Sequence, residues 1–572
     1  MRFPPALSLW NTGRMSRRHA SHRALGRAVI VLLGALACAV GAPAAPKTVC
    51  TVTINSSDER DVLRRHLPAD EYRFVELVQP GKPDWLAAAC QRGVTCDALV
   101  ISGHFDDGTE FYTDRFEDRE VLTVDELQQA SCSASCGGLF SQLKEVYLFG
   151  CNTLKSDPRH VASGEVLRSL QRAGHSQADA QRMATLLNER YGESNRDRLR
   201  HIFKDVPVLY GFSSKAPLGR VAGPLLERYL QTAPAGEVAG GRPSATLLGL
   251  FGPASMIAVP GLTDGDAHAA FRGDMCSLAD TRPSDAQKVA FMHAVLKRDI
   301  TEVRMFLPHL ERYAGALGPA QRLVPEVAAA LGRIEADPAA RERYLAFARD
   351  ADDASVQMRM TALARFLGWL TPAQERAEFM QMVAARMARG AIGRHEVDLV
   401  CSSALARTAD PARPPIDAAL AAPDNVAHAA VLACLGHRGG HERTLRALIS
   451  PHDDDVAIAQ VYLRHRPLAD VSEVRAVAAG IARMTTAGAQ VRALETLARQ
   501  RLADAQSLQE IARLFPRARS LAVQRAIANI LIRSDTQMLA RAELARSLRQ
   551  HRLRSPDGQD VIDVLIRLLQ AA

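Results

Sequence analysis

Two short apolar runs, each closed by a glycine and then a reactive side chain, constrain this chain more than any other feature. The first reads Ala98-Leu99-Val100-Ile101-Ser102-Gly103-His104, and the second Val146-Tyr147-Leu148-Phe149-Gly150-Cys151-Asn152-Thr153. Runs this short and this uniformly apolar suit strands covered on both faces, as in a parallel sheet, whose carboxyl edge is where such sheets build their sites. That places His104 and Cys151 on one edge, 47 residues apart in sequence.

The surrounding chain alternates strands and helices. Residues 49–54 and 72–78 read as strands and 206–212 as a further buried one; 111–113 and 121–123 suit a small hairpin, followed by a helix over 124–130. Helical patterns cover 157–173, 177–191, 195–203 and 224–230. Such alternation predicts an α/β domain, a parallel-type sheet flanked by helices with right-handed connections.

A thiol becomes a good nucleophile when a neighbouring imidazole takes its proton, and a strand-end turn can aim backbone N–H groups at the oxyanion that follows. Gly150 is expected to let the chain turn there. Alone, a strand-end cysteine is a small hydrophobe and a strand-end histidine a hydrogen-bonded structural residue. Together, in these two contexts, they read as an active-site pair. The chain has no Gly-x-Ser-x-Gly elbow, His-Glu-x-x-His helix or phosphate-binding glycine loop, and no cofactor or metal is expected.

"ALVISGHFDDG" and "VYLFGCNT" resemble the His and Cys motifs of the caspase-like cysteine peptidases, whose base lies about 50 residues ahead of the nucleophile. Within that family they look most like the CHAT branch, whose motif also ends in Cys-Asn-Thr, and the likeness covers residues 47–232. It implies His104 as base and Cys151 as nucleophile, with Gly103, Phe105 and Gly150 shaping the turns. The oxyanion would be held by the amides of Cys151 and Phe105. By the same analogy Gly211, Phe212 and Ser213 would wall the substrate pocket, and Asp106 and Asp107 would favour a basic residue in it. The chain departs from the family at Phe105, where glycine is usual, and in having Phe-Gly-Cys where caspases carry Gln-Ala-Cys, so their preference for Asp is not carried over.

The formal charge of +8 invites a nucleic-acid reading. Six arginines, however, precede the first acidic residue, and without them 65 basic residues face 63 acidic ones, so no nucleic-acid partner is expected. Those arginines belong to residues 1–45, which have the basic segment, apolar core and small-residue end of a signal peptide, too short for a stable membrane span. The chain is thus expected to be exported, periplasmic or extracellular; a lipoprotein anchored at Cys38 ranks second. Setting Cys38 and Cys151 aside leaves eight cysteines, an even number that suits disulfides in an oxidising compartment. Local candidates are Cys90 with Cys96 or Cys50, and Cys132 with Cys136. Cys401 and Cys434 lie in consecutive repeat helices, where a bridge and simple burial both fit.

Residues 233–284, rich in Gly and Pro around an apolar stretch, read as a connector able to pack on the first domain. From 285 to 572 the pattern becomes helical, and similar segments recur near Val397, Val426, Val456, Val491 and Val523, at intervals of 29, 30, 35 and 32 residues. This is the signature of an α-helical repeat solenoid. The segments resemble HEAT-like repeats, which implies a surface for a protein partner. The expectation is therefore a caspase-like α/β domain over 46–232 acting on a peptide or protein substrate, joined to a HEAT-like domain over 285–572. The alternative is an inactive caspase-like scaffold whose helical repeats carry the function.

Overall fold

A computed structural model of the chain describes residues 45–571, apart from 80, 83, 106–107, 114–119, 158–162, 192–193, 235, 267–268, 408–424, 469–470, 500–501, 503–504, 535–538 and 555–559. The expected signal peptide lies outside the described residues.

The N-terminal half is built on a six-stranded sheet. Its strands are β1 (Lys47–Thr53), β2 (Tyr72–Glu76), β3 (Ala98–Ser102), β6 (Glu145–Phe149), β7 (Val208–Phe212) and β8 (Met256–Val259); a separate hairpin pairs β4 (Glu110–Tyr112) with β5 (Val121–Thr123). The order across the sheet is β2-β1-β3-β6-β7-β8, every pairing parallel except the last. All five residues of β3, β6 and β7 are buried, as unbroken apolar runs between two helical layers require. Leu99, Ile101, Val146 and Leu148 face one core, closed by the helices Trp85–Gln91, Val124–Cys132 and Asn195–Ile202. Val100, Tyr147, Phe149 and Tyr210 face the other, closed by Asp58–His66, Gly219–Thr232 and Ala245–Phe251.

Much of the connector 233–284 packs on the N-terminal sheet and its helices. Ala245–Phe251 is a helix of the second layer and β8 adds an antiparallel edge, while the helix Ala269–Ala279 is bound to Val124–Cys132 by Cys132–Cys276. A four-residue strand between turns carries too little periodicity to be seen, and its partners are remote in sequence.

All eight of those cysteines are bridged: Cys50–Cys96, Cys90–Cys136, Cys132–Cys276 and Cys401–Cys434. The local pairings are corrected for the first three. Cys50 in β1 lies beside the start of β3, so it meets Cys96, which frees Cys90 for Cys136 and Cys132 for Cys276.

From 285 onward the described chain is all helical. Arg394–Ser402, Val426–Cys434, Asp453–His465, Ala487–Ala498, Leu521–Arg533 and Val561–Ala571 stack one on the next, and the recurring segments fall on the first five of these. Arg438–Ala447, Val471–Arg483 and Ala505–Leu514 form a second layer, so one continuous core runs between the two. Among the described residues no helix is long and apolar enough to cross a membrane.

One further difference concerns the two helices after Cys151. Ser163–Arg172 and Gln177–Arg190 leave the sheet and share a core with the first helices of the C-terminal half, through Val166, Leu170, Ala180 and Ala184 against Val303, Phe306 and Leu307.

Candidate active site

β3 and β6 pair so that Ser102 stands opposite Phe149. His104 and Cys151 each lie two residues beyond that pair, at matching places on the same sheet edge.

The two turns touch just before these side chains. Gly103 N donates to Phe149 O over 3.1 Å. A Cβ on Gly150 would stand 2.8 Å from Phe105 Cβ and 2.9 Å from Gly103 O, closer than packed atoms allow. Gly150 is therefore needed for close approach, which replaces the expectation that it lets the chain turn; the left-handed residue is Asn152, with φ 59°. Phe105 is fully buried, its ring 4.5 Å from that of Phe111, so it anchors the histidine turn in the core.

His104 is half-buried and bridges to Tyr112: its N donates to Tyr112 O over 2.9 Å and Tyr112 N donates back over 3.0 Å. Its Nε2 lies 3.0 Å from Asn55 Nδ2, and Thr113 Oγ1 donates to Asn55 Oδ1 over 3.0 Å. An amide nitrogen only donates, so in this orientation Nε2 accepts. Turning the amide over, with Thr113 accepting instead, would offer Oδ1 to a protonated Nε2. The same three side chains thus accommodate Nε2 either as acceptor or as N–H donor. Asn55 escaped the sequence reading; its one signal is its place at the end of the first buried strand, which becomes informative only once β1 is known to lie beside β3.

Cys151 is the one free cysteine among the described residues and is half-buried. Its Sγ accepts from Ala216 N over 3.4 Å. The turn behind it is fastened to the end of β7: Asn152 N donates to Ser214 O (2.7 Å), Leu154 N to Phe212 O (2.9 Å) and Phe212 N to Thr153 Oγ1 (2.9 Å). Among the described residues no acceptor takes the amide N–H of Phe105 or of Cys151.

The remaining expected site residues divide. Asp106 and Asp107 lie outside the described residues. Gly211 and Phe212 are buried, Gly211 against Thr153 and Leu154, Phe212 against Phe149 and Phe251. Both are packing positions at the end of β7. A strand end shows from sequence which residues it holds, but not where the sheet ceases to be covered. Ser213 is half-exposed, its Oγ donating to Ser255 O over 3.2 Å, and the exposed chain from there to Ala216 borders the sulfur.

A buried carboxyl lies beneath this edge. Glu59, 3% exposed, follows β1 in the helix Asp58–His66; burial pushes its carboxyl up to about 7, against bonds from its own backbone and Ser102. Among the described residues no group of three or more His, Cys, Asp and Glu is placed to hold a metal ion.

Fold and site thus define a disulfide-bonded α/β unit, with thiol and imidazole on one sheet edge, continued by a stacked helical array. Comparison of the chain with protein-family models, curated proteins and solved structures found no match. A thiol, an imidazole bonded to an amide and two backbone N–H groups are among the parts that covalent acyl transfer uses.

Proposed function

We propose that this protein is an exported cysteine endopeptidase of the caspase-like kind, with a HEAT-like helical region that holds a protein partner. The observation that supports it most is the matched register of His104 and Cys151 on neighbouring strand ends. His104 takes the proton of the Cys151 thiol, the thiolate attacks a peptide carbonyl, and the oxyanion is received by the amides of Cys151 and Phe105. His104, held by Asn55, gives the proton to the leaving amine. Water then cleaves the thioester, returning its proton through the same imidazole. Four disulfides suit an oxidising compartment, where such an enzyme would work.

The test is labelling of the full chain by a thiol-reactive peptide electrophile, together with cleavage of a peptide library. Cys151→Ala should abolish both, and His104→Ala should slow labelling by about 100-fold, the usual weight of a general base. Wild-type labelling no faster than that of a free thiol, and indifferent to His104→Ala, would sink the proposal.

A further inference from the structure

Besides the sheet, one short piece of chain reaches the turns behind both His104 and Cys151. It is the first turn of the helix Asn195–Ile202, capped by Ser194, whose Oγ accepts from Asp197 N. Asn195 is 5% exposed, and its Nδ2 donates to Asn152 O over 2.9 Å. Arg196 N donates to Lys155 O over 3.1 Å, so both ends of the turn after the cysteine are held. On its other side Asn195 meets the loop after His104. Gly108 there has φ 63°, and a Cβ on it would overlap the Asn195 side-chain amide. Arg198, farther along the helix, donates to Gly108 O over 3.0 Å.

Asn195 Oδ1 is buried and has no hydrogen-bond partner among the described residues. An orphaned buried acceptor costs about 1–3 kcal/mol, so packing alone does not explain an asparagine here. What the residue does achieve is contact with two loops at once. The sheet pairing ends at Ser102 and Phe149, and the contact at Gly150 reaches no farther than the neighbouring residue. Beyond those points only a separate element can fix one turn against the other.

We propose that Asn195 is a positioning residue, which locks the turn after Cys151 against the loop after His104 and so sets the separation at which sulfur and imidazole share a proton. This rests on the reading of Cys151 and His104 as a working pair. Proton sharing needs hydrogen-bond reach, and errors near half an ångström are enough to weaken it.

The test is the pH dependence of Cys151 alkylation by iodoacetamide in the full chain, followed by peptide mapping. This small reagent needs no substrate pocket. A thiol paired with an imidazole reacts well below its ordinary range near pH 8.5, which gives the profile an acid limb. Asn195→Asp keeps the side chain's shape but puts an acceptor where Asn152 O needs a donor; Gly108→Ala strains the same contact from the other loop. Either should lower the rate at about pH 6 by roughly tenfold or more while leaving the rate at about pH 9.5, where any exposed thiol is ionised, within about twofold. Folded variants that keep the wild-type acid limb overturn the proposal, as does an equal fall at both pH values, which would report general disruption. Should Asn195→Asp not fold, Gly108→Ala decides by the same criteria. A wild-type profile without an acid limb, or one that survives His104→Ala, would instead remove the pair itself, whatever Asn195 does.

Discussion

Glu59 is held in its neutral form where an ordinary carboxyl would be ionised, because burial pushes it up to about 7 from 4.5. The folded state therefore keeps a proton that the unfolded chain loses above about pH 4.5, and the stability associated with that proton is fully present below this value. It fades as the pH rises toward 7 and levels off above, a loss of about 3 kcal/mol for a shift of this size. Glu59→Gln should flatten this slope, making the protein more stable than wild type at about pH 8 but not at about pH 4; urea denaturation at both values checks it. Unchanged pH dependence would place the carboxyl in contact with water. Asn55 acts on the ring itself: Asn55→Ala should lower kcat/KM about tenfold by freeing the imidazole to turn, with little change in melting temperature. Of these residues His104 and Cys151 were legible in the sequence, because each ends a run whose length and apolarity fix the element. Asn55, Ala216 and Asn195 were not. Their roles come from which strands and loops lie side by side, which a linear pattern does not carry.

The elements show the same division. Three central strands followed from unbroken apolar runs, and the helix expected over 124–130 runs Val124–Cys132, opened by a capping box of Thr123 and Glu126. The loop at 239–241 was missed because a buried carboxyl organises it. Glu145, the first residue of β6 and 1% exposed, accepts from Tyr147 Oη (2.5 Å) and from the amides of Ala239 (2.8 Å), Gly240 (3.1 Å) and Gly241 (3.0 Å). Burial, and then the nearby carboxylate, push the Tyr147 phenol well above its usual range. A glutamate opening an apolar strand gives no sign that remote glycines will wrap it. Glu145→Ala should cost about 3 kcal/mol by leaving those donors without an acceptor, read from the denaturation midpoint at an unchanged slope. The close approach at Gly150 makes the complementary case. Gly150→Ala forces a methyl between Phe105 and the Gly103 carbonyl, costs about 1–3 kcal/mol and lowers the labelling rate of Cys151 by more than the stability loss alone explains.

At the scale of the whole molecule, the point that matters is where the chain goes after the cysteine turn. The sequence suggested two successive domains with a linker between, since linkers are read from glycine and proline and solenoids from their period. Instead, the helices Ser163–Arg172 and Gln177–Arg190, inserted between Cys151 and β7, are built into the start of the helical array. Glu165 and Arg304 form an ion pair across that junction, Nε to Oε1 at 3.0 Å, with side chains 6% and 11% exposed. Arg168 adds bonds to Asp352 and to Asp350 O, both at 2.7 Å, which are more exposed and so contribute less. Removing one partner of a buried pair leaves the other as an unpaired charge away from water, at about 3–5 kcal/mol, whereas replacing both by apolar residues of similar size is close to neutral. Glu165→Leu should therefore destabilise the protein by about 3 kcal/mol and slow Cys151 alkylation, because the insertion continues from the cysteine turn. Glu165→Leu with Arg304→Met should restore stability to within about 1 kcal/mol of wild type, together with the alkylation rate. If the effects of Glu165→Leu and Arg304→Met simply add in the double variant, the pair contributes no coupling between the two halves, and the shared core and the exposed Arg168 bonds alone would join the helical array to the sheet edge.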